Sequence, residues 1–227
     1  MAENEEKQIS QQEEKRTAEV LFGGSLAETL VAAGAVVLAI IGLVGAFPTL
    51  LLSIAAIALG SALLFDGAAF SARFANLLRE TTHNRIESTE LSTGTSAESV
   101  GGVIGIALGI LSLLGIYPMI LIPSAIIVFG ATLILGAGAN ARLNALHIRN
   151  GNHHPHHPLL DEVTHEAVTA ATGLQLLVGL GAVTLGIIAL SGTLALHLSL
   201  IAVLAVGGAM LFSGSSLSTR MIGIFKF

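Results

Sequence analysis

The sequence predicts an all-α integral membrane protein, with six transmembrane helices as three tandem two-helix hairpin repeats in a pseudo-threefold relation about the membrane normal. Three observations predict it. Hydrophobic residues make up 53% of the 227 residues and charged residues only 11%, with a mean hydropathy of +0.82; a soluble domain carries about a quarter charged residues. The apolar residues fall into runs of about 20, each long enough to cross a bilayer as a helix. The stretch 34–73, an apolar run, a Phe-Pro turn, a second apolar run and a basic exit, is also written three times. Adding 147 turns GAVVLAIIGLVG at 34–45 into GAVTLGIIALSG at 181–192, and GSALLFDG at 60–67 into GGAMLFSG at 207–214. Adding 70 gives the middle copy, with Gly45 at Gly115, Phe47-Pro48 at Tyr117-Pro118 and Gly60 at Gly130. Self-similarity at fixed offsets marks a repeated supersecondary unit.

Residues 1–24 read as an acidic tail and an interfacial segment. Glu3, Glu5, Glu6, Glu13 and Glu14 stand against Lys7, Lys15 and Arg16, so there is no basic n-region, and no small-residue cleavage site precedes them. A cleaved signal peptide is not expected. Thr17 to Phe22 has amphipathic character that suits a helix lying in the interface.

Repeat 1 covers 25–78, repeat 2 covers 95–148, and repeat 3 with a short C-terminal tail covers 172–227. Ser25 and Glu28 have the S-x-x-E spacing of a capping box, in which each side chain satisfies a backbone N–H left unbonded at a helix start. The same offsets give Thr95 and Glu98 in repeat 2, and Thr172 and Gln175 in repeat 3. All six are expected to cap helices, with Glu28 and Glu98 structural rather than ion-binding. Helix 1 over 26–46 reaches about 30 Å, enough for a bilayer. Pro48 and Pro118 suit the first turn of the returning helix, where no N–H bond is lost. Helix 2 is expected from Thr49 through Asp66 toward Leu78, helix 4 from Pro118 to about Leu146, and helix 6 from Thr193 to about Met221.

Two polar linkers, 79–94 and the His-rich 149–171, separate the repeats. All ten Lys and Arg residues lie at the termini, in these linkers or at the helix ends that lead into them, and none lies in the turns near Phe47, Tyr117 and Thr193. The positive-inside rule then puts both termini and both linkers in the cytoplasm. With two spans per repeat, all three copies point the same way, unlike the inverted repeats common in alternating-access transporters. The expected location is the inner (cytoplasmic) membrane, multi-pass.

Within the spans the hydroxyls of Ser53, Ser61, Ser112, Ser124, Thr132 and Thr184 are expected to bond back to their own helices. No ionisable residue falls at mid-span, which argues against ion pumps and channels. Small residues recur at packing spacing, as in Ala56 and Gly60, Gly60 and Gly67, Gly105 and Gly109, and Gly207 and Gly214. Lipid offers no hydrophobic drive for helices to associate, so such residues mark seams of close backbone approach.

Few residues suggest chemistry. The linker HIRNGNHHPHHP holds His147, His153, His154, His156 and His157, and imidazole is the commonest ligand for zinc, copper and nickel. Its prolines favour extended backbone, so loose metal binding by a solvated loop stands beside a metal- or pH-sensing role. His197 sits alone in an apolar helix near the uncharged face. Arg73, Arg142 and Arg220 occupy the exit of each repeat, where arginine reaches phosphate headgroups, or where the three converge on one anionic lipid or solute. Asp66 has Gly136 and Ser213 as counterparts, which makes it weak as a site. Cysteine is absent, excluding disulfides and thiol chemistry. No catalytic triad, phosphate-binding glycine loop, HExxH motif or suitably spaced carboxylate pair occurs, so no enzyme and no cofactor is expected. The net charge of −5 gives no indication of a nucleic-acid partner.

A glycine-bounded turn with Pro, Gly42-Leu43-Val44-Gly45-Ala46-Phe47-Pro48, is followed by a long apolar run and the spacing G-x-x-L-x-x-x-G from Gly60 to Gly67. It is echoed by Gly115-Ile116-Tyr117-Pro118 with Gly130. In this pattern the chain resembles the HdeD family of bacterial acid-resistance membrane proteins, across roughly 26–221. The third copy departs from it, with Ala195 where Pro is expected. The resemblance implies six inner-membrane spans and an association with acid and general stress, without an enzymatic activity or transferable site residues.

The expected function is therefore a non-enzymatic inner-membrane protein, stress-related or a structural subunit that scaffolds a membrane assembly. A passive pathway or transporter for a small solute, and a metal or pH sensor working through the histidine loop, are the alternatives. The expected partners are the lipid bilayer with its anionic headgroups, and either further copies of the chain or a larger membrane complex.

Overall fold

The turn sequences set the architecture. The computed structural model describes residues 27–80, 87–150, 158–192 and 194–222, and side chains over 27–67, 97–138, 172–192 and 194–212. At Gly45, Gly115 and Gly192 the backbone turns left-handed, with φ of 99°, 82° and 87°. Their N–H groups donate to Gly42, Ser112 and Ala189, each at 3.0 Å, closing the preceding helix. This is the helix C-terminus at which glycine is favoured, because it takes positive φ without a Cβ clash. Two residues on, Phe47, Tyr117 and Leu194 also hold positive φ, at 40°, 38° and 51°. Their carbonyls accept the first bonds of the returning helices, from Leu51, Leu121 and Leu198. Pro48 and Pro118 open those helices as expected. Ala195 opens the third with the same turn, so the proline assists the geometry without being needed for it.

Six helices follow in the described residues: α1 (Ala27–Leu43), α2 (Pro48–Glu80), α3 (Glu87–Leu113), α4 (Pro118–Asn150), α5 (Pro158–Leu190) and α6 (Ala195–Ile222). Four contain stretches long and apolar enough to span a membrane: Pro48–Gly67, Pro118–Gly138, Thr172–Leu190 and Ala195–Phe212. The apolar parts described for α1 and α3, Ala27–Leu43 and Ala97–Leu113, are slightly shorter. The chain is thus a helical membrane protein. Helices α2 and α4 continue roughly 20 Å past their apolar stretches at 1.5 Å per residue, carrying Arg73, Arg79, Arg142 and Arg149 with them.

The linkers are shorter than their polar sequences suggested. Helix α3 starts at Glu87 and α5 at Pro158, so much of 79–94 and 149–171 is helix that runs on beyond the apolar stretches. Nothing in ESTELSTG or LLDEVTHEAVTAA breaks a helix except the lone Gly94, and polar residues are no obstacle to a helix outside lipid.

Helices α2, α4 and α6 each touch the other two, while α3 packs on both α2 and α4, and α5 on both α4 and α6. The core lies along the three central helices. Leu52, Ala55, Leu59, Ala62, Phe129 and Ala202 are completely buried there, as are Leu63 and Ala125. Residues at the 70 and 147 offsets share this burial: Leu52, Ile122 and Ser199; Leu59, Phe129 and Val206; Leu63, Leu133 and Met210. The outward face is apolar, with Leu30, Val44, Phe47, Tyr117, Leu177 and Phe212 all largely exposed.

Glycines let helices approach closely at several places. A Cβ on Gly60 would stand 2.7 Å from the carbonyl of Gly102 and 2.8 Å from Ile106. One on Gly130 would stand 2.6 Å from the carbonyl of Gly179 and 2.8 Å from Val183. One on Gly207 would meet Val36 at 2.9 Å and the carbonyl of Ala32 at 3.5 Å, joining α6 to α1. Gly60 and Gly207 are two of the seam residues expected from spacing. Two more behave alike: Gly105 receives the ring of Phe129, and Gly109 receives Ile57 at 2.7 Å.

Candidate functional site

Hydroxyl groups account for most of the polarity inside the apolar stretches. Ser53, Ser61, Ser124, Thr132 and Thr184 each donate to the carbonyl four residues back, at 2.7–2.9 Å. Such back-bonds use up the donor within its own helix. Ser112 departs from that expectation. Its Oγ lies 2.8 Å from Ser53 Oγ, and because Ser53 already donates to Thr49, Ser112 is the donor in a buried α3–α2 bond. Ser199 is also buried in the central layer, and its Oγ has no hydrogen-bond partner.

The carboxyl groups tell a different story from the one expected of them. Thr95 lies well inside α3 and Thr172 well inside α5, so neither is a helix N-cap, and the capping-box reading is corrected for both repeats. The N–H groups that Glu98 and Gln175 were to share with those caps belong to continuous helix, where backbone carbonyls already bond them. Ser25 lies outside the described residues, so only Glu28 of the first box can be located.

Glu28 on α1 and Glu98 on α3 are each 3% exposed, Gln175 on α5 is 5% exposed, and Asp66 on α2 is 7% exposed. Each sits at the end of its apolar stretch from which the arginine-bearing helices project. Glu98 links several helices. Its side chain lies directly over Gly136 of α4, and the charges of Asp66 and Glu28 are close enough to act on it. Its Oε2 is sealed from solvent with no hydrogen-bond partner. Helix α4 makes room by being bare: Gly136 offers no side chain, and next to it in space Thr132 packs against Gly101.

Sequence reasoning missed this grouping. Asp66 looked weak because its counterparts are Gly136 and Ser213. The absence of a side chain at Gly136 is, however, what admits Glu98. The one signal available was that Asp66 and Glu98 are the charged residues inside their apolar stretches.

For the other candidate residues the structure gives helix positions alone, except at His197. Arg73, Arg142 and Arg220 lie on α2, α4 and α6 beyond the apolar stretches, and His147 lies near the end of α4. His153, His154, His156 and His157 lie outside the described residues. His197 is exposed in the first turn of α6.

Comparison with known proteins finds no matching protein family, no matching curated protein and no matching solved structure.

Proposed function

We propose that this chain is a non-enzymatic inner-membrane protein, stress-related or a structural subunit that scaffolds a membrane assembly. In this reading all six helices span the membrane as three hairpin repeats about a pseudo-threefold axis, with both termini cytoplasmic. Two like seams, three like turns and shared burial at the 70 and 147 offsets support the repeat arrangement. The absence of Lys and Arg from the three hairpin turns supports the orientation. The resemblance to the HdeD family supports a place in the stress response.

The observation that carries the scaffold reading is the filled axis. Leu52, Leu59, Leu63, Phe129, Ile126 and Val206 occupy the centre with almost no exposure, so side chains stand where a conduit would run. What remains is a packed bundle with an apolar outer surface, suited to binding lipid and neighbouring membrane proteins. Purification from native membranes, with mass spectrometry of co-purifying proteins and lipids, tests this. Reproducible stoichiometric partners or defined anionic lipids are expected. A monodisperse chain that carries neither, yet passes a small solute in liposomes, would replace the scaffold with a transporter.

A further inference from the structure

Glu98 occupies a place that a cap or a packing role does not account for. It is inside a continuous helix, it is 3% exposed, and Oε2 lacks a partner. A carboxylate oxygen so placed requires a cation beside it or a proton on it. Among the described side chains, the charged groups that act on it are both carboxyls, Asp66 from α2 and Glu28 from α1, while α4 faces it with Gly136. On its own helix, no basic residue occurs between Glu87 and Leu113. The nearest arginines along the packed helices are Arg73, two turns past Asp66 on α2, and Arg142, six residues past Gly136 on α4, each about 10 Å along the axis. A multivalent metal does not fit either: among the described residues no three of His, Cys, Asp or Glu are disposed to hold an ion.

Position 175, which corresponds to Glu98 at the repeat offset, holds glutamine with similar burial. An amide of the same length therefore fits the equivalent place, and the fold does not itself require an acid. The acid is confined to the first two hairpins, where Asp66 stands beside it.

We propose that Glu98 is a proton-binding site inside the membrane bundle, grouped with Asp66 and Glu28 and facing the arginine-bearing end. The ligand is a proton from the aqueous phase on that side; it forms an O–H bond at Oε2, and no other bond changes.

A hydrophobic carbodiimide tests the assignment on the full chain in native membranes. The protonated acid adds across the N=C=N unit, its proton moving to nitrogen and its oxygen to carbon, and the acyl group then shifts to nitrogen as a stable N-acylurea. Mass spectrometry is expected to find this adduct on Glu98, with yield falling about tenfold per pH unit once the site loses its proton. Glu98→Gln is expected to abolish the adduct while leaving expression and melting temperature unchanged, as Gln175 suggests, and a large excess of sodium is expected to leave labelling unaltered. An adduct absent from Glu98 in folded protein across the whole pH range would overturn the proposal. So would protection by sodium, which would mark an alkali-cation site instead.

Discussion

The carboxyl of Glu98 lies over the α-carbon of Gly136, in the space where any other residue would put its Cβ. The two residues belong to adjacent helices, and neither is explicable without the other.

Gly136→Ala should therefore push the Glu98 carboxyl aside, because the new methyl would also stand 3.2 Å from its Cδ. A loss of about 1 kcal/mol is expected, the lower range for overpacking, since the end of a side chain yields more readily than backbone. A double-mutant cycle with Glu98→Ala checks it by thermal unfolding in detergent. The paired variant should lose less than the sum of its parts; additive losses would mean that the two do not touch.

Glycines on the seams should differ sharply from those facing open space. Gly60→Ala forces a methyl against the carbonyl of Gly102 and the amide nitrogen of Ile106, at 2.7 and 2.9 Å, and backbone cannot swing away. A destabilisation of about 2–3 kcal/mol is expected. Gly34→Ala and Gly138→Ala meet nothing within 4 Å and should be neutral or slightly stabilising through helix propensity. Melting temperatures of the three variants decide it; equal shifts would show the seam to be loose.

Much of the fold is legible in the sequence. Pro48 and Pro118 set helix starts, and the hydroxyls of Ser61 and Thr184 bond within one turn. All of these are local, so a short window of sequence contains their cause. The helix starts upstream of Thr95 and Thr172 were not legible, because a polar helix leaving the membrane looks like a linker to any reading based on hydropathy. The S-x-x-E spacing is a cap only where a helix begins. The grouping of Glu28, Asp66 and Glu98 was hidden for another reason: it depends on which faces of three helices meet, and on a residue that contributes only empty space.

The orientation can be tested because the chain has no cysteine. Single cysteines at Ser88, Asn152 and Thr193 should react differently with a membrane-impermeant thiol reagent. In intact cells Thr193→Cys is expected to label, while Ser88→Cys and Asn152→Cys label only after lysis. Labelling of either of the last two in intact cells would reverse the topology.

Removal of His153 to His157 should leave assembly and thermal stability unchanged, with only weak and unselective zinc or nickel binding lost. A functional metal site would couple binding to the order of the loop. Isothermal titration paired with protease sensitivity of the linker reads both quantities. Stoichiometric sub-micromolar binding that also protects the linker would make the loop a sensor.

The contact of Gly207 with Ala32 and Val36 has a consequence for the order of the chain. Stacked repeat proteins leave a first and a last unit with one bare side, and need special caps to cover them. Here the last described helix lies against the first through Gly207 on Val36 and Leu200 on Gly42, so among the described residues neither end of the series is left bare. Which hairpin is translated first is then a matter of connectivity and not of packing. A circular permutant opened at the segment between α2 and α3, with its old ends joined, should close the same bundle.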